Sequence, residues 1–442
     1  MRQNALIFFM KAPVLGRVKT RLAEGLGTDN ATTLYCLMCE HLLNLTVPQN
    51  TDVIVAYDDE ERTALPSYLE EKSLFYQSGN DLGERMKNAF EAVFAKGYKR
   101  AILVGSDIPD VDGRLLEEAF THLCNHDAIL SPTEDGGYYL IGFHAHTFCK
   151  EAFEGITYSQ SDVYANTLLK LSPLRVAKGE MLRDIDTLED LRAFTCKEKL
   201  SPLSKFAQDI LSDLPRISVI IPVYHEDETL LHTLFHLKAM AHAQNYEIIV
   251  VDTHEKTTVE RLHVSAVRVA FSSKGRSTQM NEGARKARGK MLLFLHADTL
   301  LPYHWDKKIE NALHVNKAGA FSLGINTSHL GLFFIETMAN LRTQITKIPY
   351  GDQAHFFQAS FFKTLGGYAQ IALMEDVEIM KRLKKRGQKI TLIKSKVFTS
   401  PRRWHKEGIF YVTLRNRTLS FLYWLGVSPT KFSRFYTPHH KN

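Results

Sequence analysis

The chain has no long hydrophobic run: across its 442 residues no apolar stretch reaches the length needed to span a membrane. The short apolar run Ala5 to Met10 is followed by Lys11 and Pro13, so it reads as a first β-strand rather than the core of a signal peptide. Cysteine is scarce. The five thiols, Cys36, Cys39, Cys124, Cys149 and Cys196, are odd in number and lack the spacing of a disulfide framework, which fits reduced thiols in a cytoplasmic protein. Cys36 and Cys39 form a Cys-x-x-Cys, but no second pair completes a zinc site and the flanking residues have helical periodicity. There is no Walker motif, and neither a helix-turn-helix nor an RNA-binding signature, which argues against a nucleic-acid-binding protein.

What is present is ordinary globular composition with uneven charge. Hydrophobic residues make up 44% and charged residues 24%, which excludes a disordered chain. The net charge of +6 is concentrated at one end: from Lys381 to Asn442 sixteen Lys and Arg face the single acid Glu407, a charge of +15, leaving −9 for the rest. A basic end of that strength points to an anionic partner.

Strand-like and helix-like segments alternate through both halves. Strands are expected at Ala5–Met10, Asp52–Tyr57, Ala101–Val104 and Ala128–Leu130, and helices at Asp29–Leu45, Leu82–Ala95 and Arg114–Leu123. The pattern lapses into Lys, Glu, Ser and Pro around residues 196–215, which reads as a linker, and then restarts. Strands are expected at Ile217–Pro222, Glu247–Val251, Val267–Ala270 and Met291–Leu295, with helices at Thr229–Ala241, Ser277–Ala287 and Val377–Lys385. The expected fold is α/β, two tandem Rossmann-like nucleotide-binding domains with mostly parallel sheets, occupying 1–195 and 216–442.

Acids fall where the strands end. Asp298 follows the apolar run Leu292–Leu295, and Asp107 follows the strand before Gly105, so both sit in the crevice where open α/β sheets bind ligands. In the first half Lys11, Gly16, Arg17, Lys19 and Arg21 lie between a strand and a helix, where a phosphate chain would be held. Glu134, Asp135 and Gly136 combine carboxylates with close backbone approach, and Asp184 and Asp186 are expected on one face of a strand as metal ligands with Asp107.

With Gly79–Met86, Gly105–Pro109, Glu134–Gly142 and Arg183–Leu191, these segments resemble a nucleotidyltransferase-like family related to molybdenum-cofactor and 2-phospholactate guanylyltransferases, over about residues 4 to 194. The resemblance implies attack of a phosphate oxygen on an NTP, with a metal offsetting charge. The Leu-Ala-Gly-Gly loop of sugar nucleotidyltransferases is missing, so nucleotidyl and glycosyl transfer both remain open for this half.

In the second half, Ile220 to Asp227 and Ile248 to Asp252 resemble the opening of family 2 glycosyltransferases, inverting enzymes of the GT-A fold. The resemblance assigns the nucleoside to Pro222, Glu226 and Asp252, and the diphosphate to the helix opened by Arg276 and Asn281. His296-Ala297-Asp298 stands where the family has Asp-x-Asp, implying Mg²⁺ or Mn²⁺ on Asp298 with His296 beside it. Asp376 is the expected general base and Glu375 its alternative. Tyr350, Asp352, Gln353, Arg402, Arg403 and Trp404 complete the motif set, the arginines for leaving diphosphate and the indole for stacking.

From Gly275 to Pro429 the motif order is similar to glycosyltransferases associated with arsenosugar biosynthesis and radical-SAM gene neighbourhoods, although Phe357-Gln358-Ala359-Ser360 replaces the paired arginines usual there. The expected function is a cytoplasmic bifunctional transferase using a nucleotide-sugar donor and a small-molecule acceptor. The alternatives are a membrane-surface glycosyltransferase acting on a lipid phosphate, peripheral to the inner face of the membrane and motivated by the basic end interleaved with Phe410, Tyr411, Phe421, Tyr423, Trp424, Phe432, Phe435 and Tyr436 and by Leu330–Ile335, and a nucleic-acid-binding protein using the same basic end.

Overall fold

The computed structural model describes residues 3–58, 65–158, 160–196, 201–226, 228–262, 267–327, 329–424 and 427. The Leu425-Gly426 and Ser428-Pro429 parts of the terminal motif, together with Phe432, Phe435 and Tyr436, lie outside the described residues. Contacts divide the chain into two compact units, Met1–Asp213 and Leu214–Asn442.

The first unit is built on seven strands: β1 (Asn4–Lys11), β2 (Thr51–Asp58), β3 (Ser73–Tyr76), β4 (Arg100–Gly105), β5 (Ala128–Pro132), β6 (Tyr138–His144) and β7 (Val176–Lys178). Their order is β3-β2-β1-β4-β6-β5-β7. The pairs β3/β2, β2/β1, β1/β4 and β5/β7 are parallel, and β6 runs antiparallel to both neighbours. Central β1 is apolar on both faces. Leu6, Phe8 and Met10 enter one core and Ala5 and Ile7 the other, because successive side chains alternate and helices cover both sides.

The second unit repeats the plan with β8 (Ile217–Pro222), β9 (Tyr246–Thr253), β10 (Arg268–Ser272), β11 (Met291–Phe294), β12 (Thr299–Leu300), β13 (Ala318–Ile325), β14 (Phe356–Gln358) and β15 (Thr391–Thr399). The order is β10-β9-β8-β11-β14-β13-β15-β12. Again the first four strands are parallel, β14 is antiparallel to both neighbours, and β15 is parallel to β13. Removing the two-residue edge strand β12 leaves the same strand order and the same single reversal in both units.

Two features differ from the sequence expectations. Residues 183–186 form no strand; only Leu182 makes an isolated bridge, to Thr133. Within the expected linker, Pro202–Ser212 is a helix capped by Ser201, and it packs on the helices Thr28–Leu43 and Leu188–Thr195 of the first unit. Cys36 and Cys39 lie in the helix Thr28–Leu43, as expected.

Candidate functional sites

In each unit the chemistry collects at the carboxyl ends of the parallel strands. In the first, the basic loop leaves β1 at exposed Lys11 and turns at Gly16, whose φ of 77° suits glycine. Arg17 and Arg21 are exposed, but the Lys19 side chain is only 3% exposed. Its Nζ lies 2.6 Å from Asp107 and 3.0 Å from Asp186. Burial disfavours the Lys19 charge, yet the two carboxylates outweigh it and hold the ammonium above its ordinary range. Arg21 adds a longer contact of 3.9 Å to Asp186.

Two of the three carboxylates expected as metal ligands thus already face a cation of the chain itself. Asp107 and Asp186 converge on Lys19, and among the described residues no group of three or more His, Cys, Asp or Glu is placed to hold a metal ion. Asp184 is pushed up to about 6 by desolvation first and then by the charges of Asp135 and Asp186. The following helix is capped by Thr187 and Asp190, which leaves the Asp186 carboxylate to Lys19. Asp135 accepts from Thr133 Oγ1 at 2.5 Å and from the Gly137 amide at 3.0 Å. Glu134 pairs with Arg183 at 2.5 Å. Gly136 has a φ of 94°, and a β-carbon there would meet the Ser161 carbonyl at 2.0 Å, so this turn admits only glycine. Sequence reasoning missed Tyr35: its hydroxyl accepts from the Lys11 amide at 2.8 Å and lies 3.1 Å from Ser106 Oγ, joining the ends of β1 and β4.

The second site forms where β11 ends in His296 and Asp298. The turn Tyr350-Gly351-Asp352-Gln353 brings its backbone between two functional side chains: a β-carbon at Gly351 would lie 3.2 Å from Asp376 Oδ2 and 3.3 Å from His296 Nε2. The Gly351 amide donates to Asp376 Oδ2 at 2.6 Å, and the Val377 amide donates to Oδ1 at 2.8 Å. Beside it Glu375 is buried, 3.5 Å from Arg276, with Oε1 lacking a hydrogen bond. Burial raises the Glu375 carboxyl, Arg276 opposes the shift and Asp376 adds to it. Asp352 is pushed up to about 6, by desolvation foremost, with Arg342 opposing and Asp376 reinforcing.

Arg402 Nη2 lies 3.9 Å from Asp298. Trp404 Nε1 is buried and has no hydrogen-bond partner, and the Arg403 side chain lies outside the described residues. Arg342, absent from the sequence reading, stacks 3.5 Å from the Tyr350 ring centroid. No spacing rule could have found it, since it reaches the site from the preceding helix. Gln353 ties the turn inward, donating to the Phe321 carbonyl at 3.1 Å and accepting from Thr343 at 2.9 Å.

Three residues assigned to nucleotide binding by resemblance also make hydrogen bonds within the chain. Asp252 is fully buried, and its oxygens accept from the amides of Thr253, Thr258 and Val259 at 2.7, 2.8 and 3.0 Å, so it closes its own loop. Asn281 spends both polar atoms on the backbone of Tyr368, at 2.8 and 2.9 Å, and fixes the Gly366-Gly367 turn. Glu226 is half-buried, and its amide donates to Thr258 Oγ1 at 3.1 Å. Pro222 ends β8 half-buried, and Arg276 begins its helix after Gly275, as expected.

The comparisons agree with this division. Residues 42–160 match the model of an uncharacterized protein family conserved in bacteria, DUF2064, and residues 218–363 match glycosyl transferase family 2. A 2-phospho-L-lactate guanylyltransferase of Methanocaldococcus jannaschii is 23% identical over 188 residues, 40% of this chain and 76% of the relative. A candidate nucleotide-diphospho-sugar transferase from Desulfovibrio desulfuricans G20 is 35% identical over 47% of this chain and 95% of its own, with a TM-score of 0.45. S. aureus TarS 1-349 in complex with UDP-GlcNAc is 16% identical over 42% of this chain and 58% of its own, with a TM-score of 0.33. The chain is thus a transferase in which a nucleotidyltransferase-like DUF2064 domain is fused to a family 2 glycosyltransferase domain.

Proposed function

We propose that the C-terminal domain moves a sugar from a nucleotide-sugar donor to a hydroxyl of a small acceptor with inversion, and that the N-terminal domain performs nucleotidyl or glycosyl transfer on a related nucleotide-activated substrate. The observation that carries the reading is the Asp376 carboxylate, held by two backbone amides at 2.6 and 2.8 Å, with Asp376 and His296 both facing the same point beside Gly351. The amide donors fix the orientation of the carboxylate, whose remaining lone pairs would take the acceptor's proton as the new bond forms. Glu375 steadies Arg276, and Arg276 at its helix N-terminus and Arg402 beside Asp298 face the diphosphate as it departs. Trp404 would stack its indole on a sugar or acceptor face.

Asp298 and His296 are the residues that would hold Mg²⁺ or Mn²⁺. Their donor set fits: one hard oxygen and one imidazole leave most coordination positions for diphosphate oxygens. When bound, the ion offsets the charge that collects on the leaving diphosphate. In the N-terminal domain, exposed Lys11, Arg17 and Arg21 would receive the phosphate chain while Lys19 keeps Asp107 and Asp186 in place. Consecutive action, in which one domain makes the other's donor, is the economical reason for joining residues 1–195 to 216–442.

The test uses the full chain with nucleotide sugars and water as acceptor. Asp376→Asn is expected to slow release of nucleoside diphosphate by roughly 10²–10⁴-fold while leaving donor affinity near that of the native chain. Equal release from both proteins would remove Asp376 as the base.

A further inference from the structure

The helix Leu330–Thr346 is amphipathic in the reverse sense. Its buried positions include Glu336 and Thr343, whereas Leu330, Phe333, Phe334, Leu341 and Ile345 are 84, 61, 63, 47 and 73% exposed. At 3.6 residues per turn these five fall on one face.

The inward polarity has a clear cause. Strand β13 pairs with β14 only at Ala318 and Gly319, so its later residues present an open edge. The helix covers that edge with side chains: Glu336 accepts from the Ile325 amide at 2.8 Å, Asn340 accepts from the Leu323 amide at 2.8 Å and donates to its carbonyl at 2.9 Å, and Lys396 neutralises Glu336 at 2.6 Å. Nothing in this arrangement requires the outward face to be apolar.

The helix Ile409–Trp424 lies alongside and adds Phe410, Tyr411, Leu414 and Phe421, at 82, 57, 54 and 57% exposure. Both helices reach the second site, since Arg342 stacks on Tyr350 and the Tyr350 hydroxyl bonds Ser420 at 3.1 Å. At the start of the stripe, Leu330 shares an open depression of ≈ 1050 Å³ with Asn326, Thr327, His329 and His405. Exposed cations stand at both ends, with Lys406 beside that depression and Lys347 and Lys384 at the far end, where Lys384 donates to the Thr346 carbonyl at 3.1 Å.

We propose that this face docks on an anionic membrane surface, with the aromatic and aliphatic stripe in the headgroup–acyl boundary and the flanking cations on lipid phosphates. Charge decides between a bilayer and a second copy: the two helices expose no acid, their one acid Glu336 being buried against Lys396, so self-association through this face would oppose the like charges of Lys347, Lys384 and Lys406, whereas an anionic surface complements them. Among the described residues no helix is long and apolar enough to cross a membrane, so the contact is interfacial. Docking stands without the glycosyl-transfer reading; combined with it, docking places the Tyr350 turn where a membrane-borne hydroxyl acceptor would arrive.

The test is cosedimentation of the full chain with phosphatidylcholine vesicles, with and without about 30 mol% phosphatidylglycerol, compared with F333S/F334S. The native chain is expected to bind the anionic vesicles, to lose most of that binding between roughly 50 and about 500 mM salt, and to ignore pure phosphatidylcholine. F333S/F334S is expected to bind at least about tenfold more weakly with an unchanged or raised Tm. Absence of binding to anionic vesicles, undiminished binding by the variant, or a native dimer that the variant converts to monomers would overturn the proposal. Donor binding, measured separately, reports on the glycosyl-transfer reading alone.

Discussion

The two domains share a strand order and one reversed strand, yet they treat the acid after the fourth parallel strand in opposite ways. In the first, Asp107 and Asp186 close on the buried ammonium of Lys19 at 2.6 and 3.0 Å. In the second, Asp298 lies 3.9 Å from the half-exposed Arg402, and Asp376 accepts from the backbone amides of Gly351 and Val377. A buried cation at 2.6–3.0 Å competes with a metal for the same carboxylates more strongly than a half-exposed arginine at 3.9 Å does. The fold fixes where charge gathers, and a single side chain decides what can join it.

The largest effect expected on this comparison is the loss of roughly 10²–10⁴-fold in donor turnover for Asp376→Asn, with no counterpart on Tm. Next, Lys19→Ala leaves two carboxylates facing each other. The first domain should lose about 2–3 kcal/mol, less than for a wholly buried pair because Asp107 and Asp186 are 53 and 38% exposed. Mn²⁺ should then raise the Tm of Lys19→Ala more than that of the native chain; equal rises would mean that Lys19 does not compete with metal.

Asp184 gives a smaller effect with a defined sign. Its folded-state pKa, raised from 3.8 to about 6, means that the native form binds the proton more tightly than the unfolded chain. Stability from this group is present at acid pH, is lost as pH rises from about 3.8 to 6, and stays lost above. Asp184→Asn should abolish that slope and stabilise the first domain at pH 7 by about 1–2 kcal/mol, a value discounted for its partial exposure. Denaturant titrations at pH 4, 5.5 and 7 read the difference directly. Smallest is Gly351→Ala, which must displace Asp376 or His296 by a few tenths of an ångström; donor turnover should fall about fivefold with little change in Tm.

Most of the sheet skeleton was legible because runs such as Ala5–Met10 and Ile217–Pro222 are short, apolar and bounded by turns; the latter matches β8 end to end. Reversal of β6 and β14 was not, since an antiparallel central strand is as apolar as a parallel one. At the sites, the pattern located Asp298, Asp376 and Tyr350-Gly351 in one neighbourhood. It could not separate Lys19 from Arg17 and Arg21, because local sequence does not report burial. The loop-closing bonds of Asp252 and Asn281 were not legible either, because a carboxylate or amide closing its own loop looks the same in sequence as one awaiting a nucleoside. The helix Leu330–Thr346 carries an apolar period that sequence rules would direct inward; only the open edge of β13 explains why it faces out.

The central claim is that the second domain's acid serves a metal-held donor, whereas the first domain's is already neutralised by Lys19. Calorimetric titration of the full chain with nucleotide sugar, with and without Mn²⁺, tests it most directly when repeated on Asp298→Ala and Asp107→Ala. The account predicts Mn²⁺-dependent binding that Asp298→Ala abolishes and Asp107→Ala leaves in place. Binding that is indifferent to Mn²⁺, or that survives in Asp298→Ala and disappears in Asp107→Ala, would contradict it.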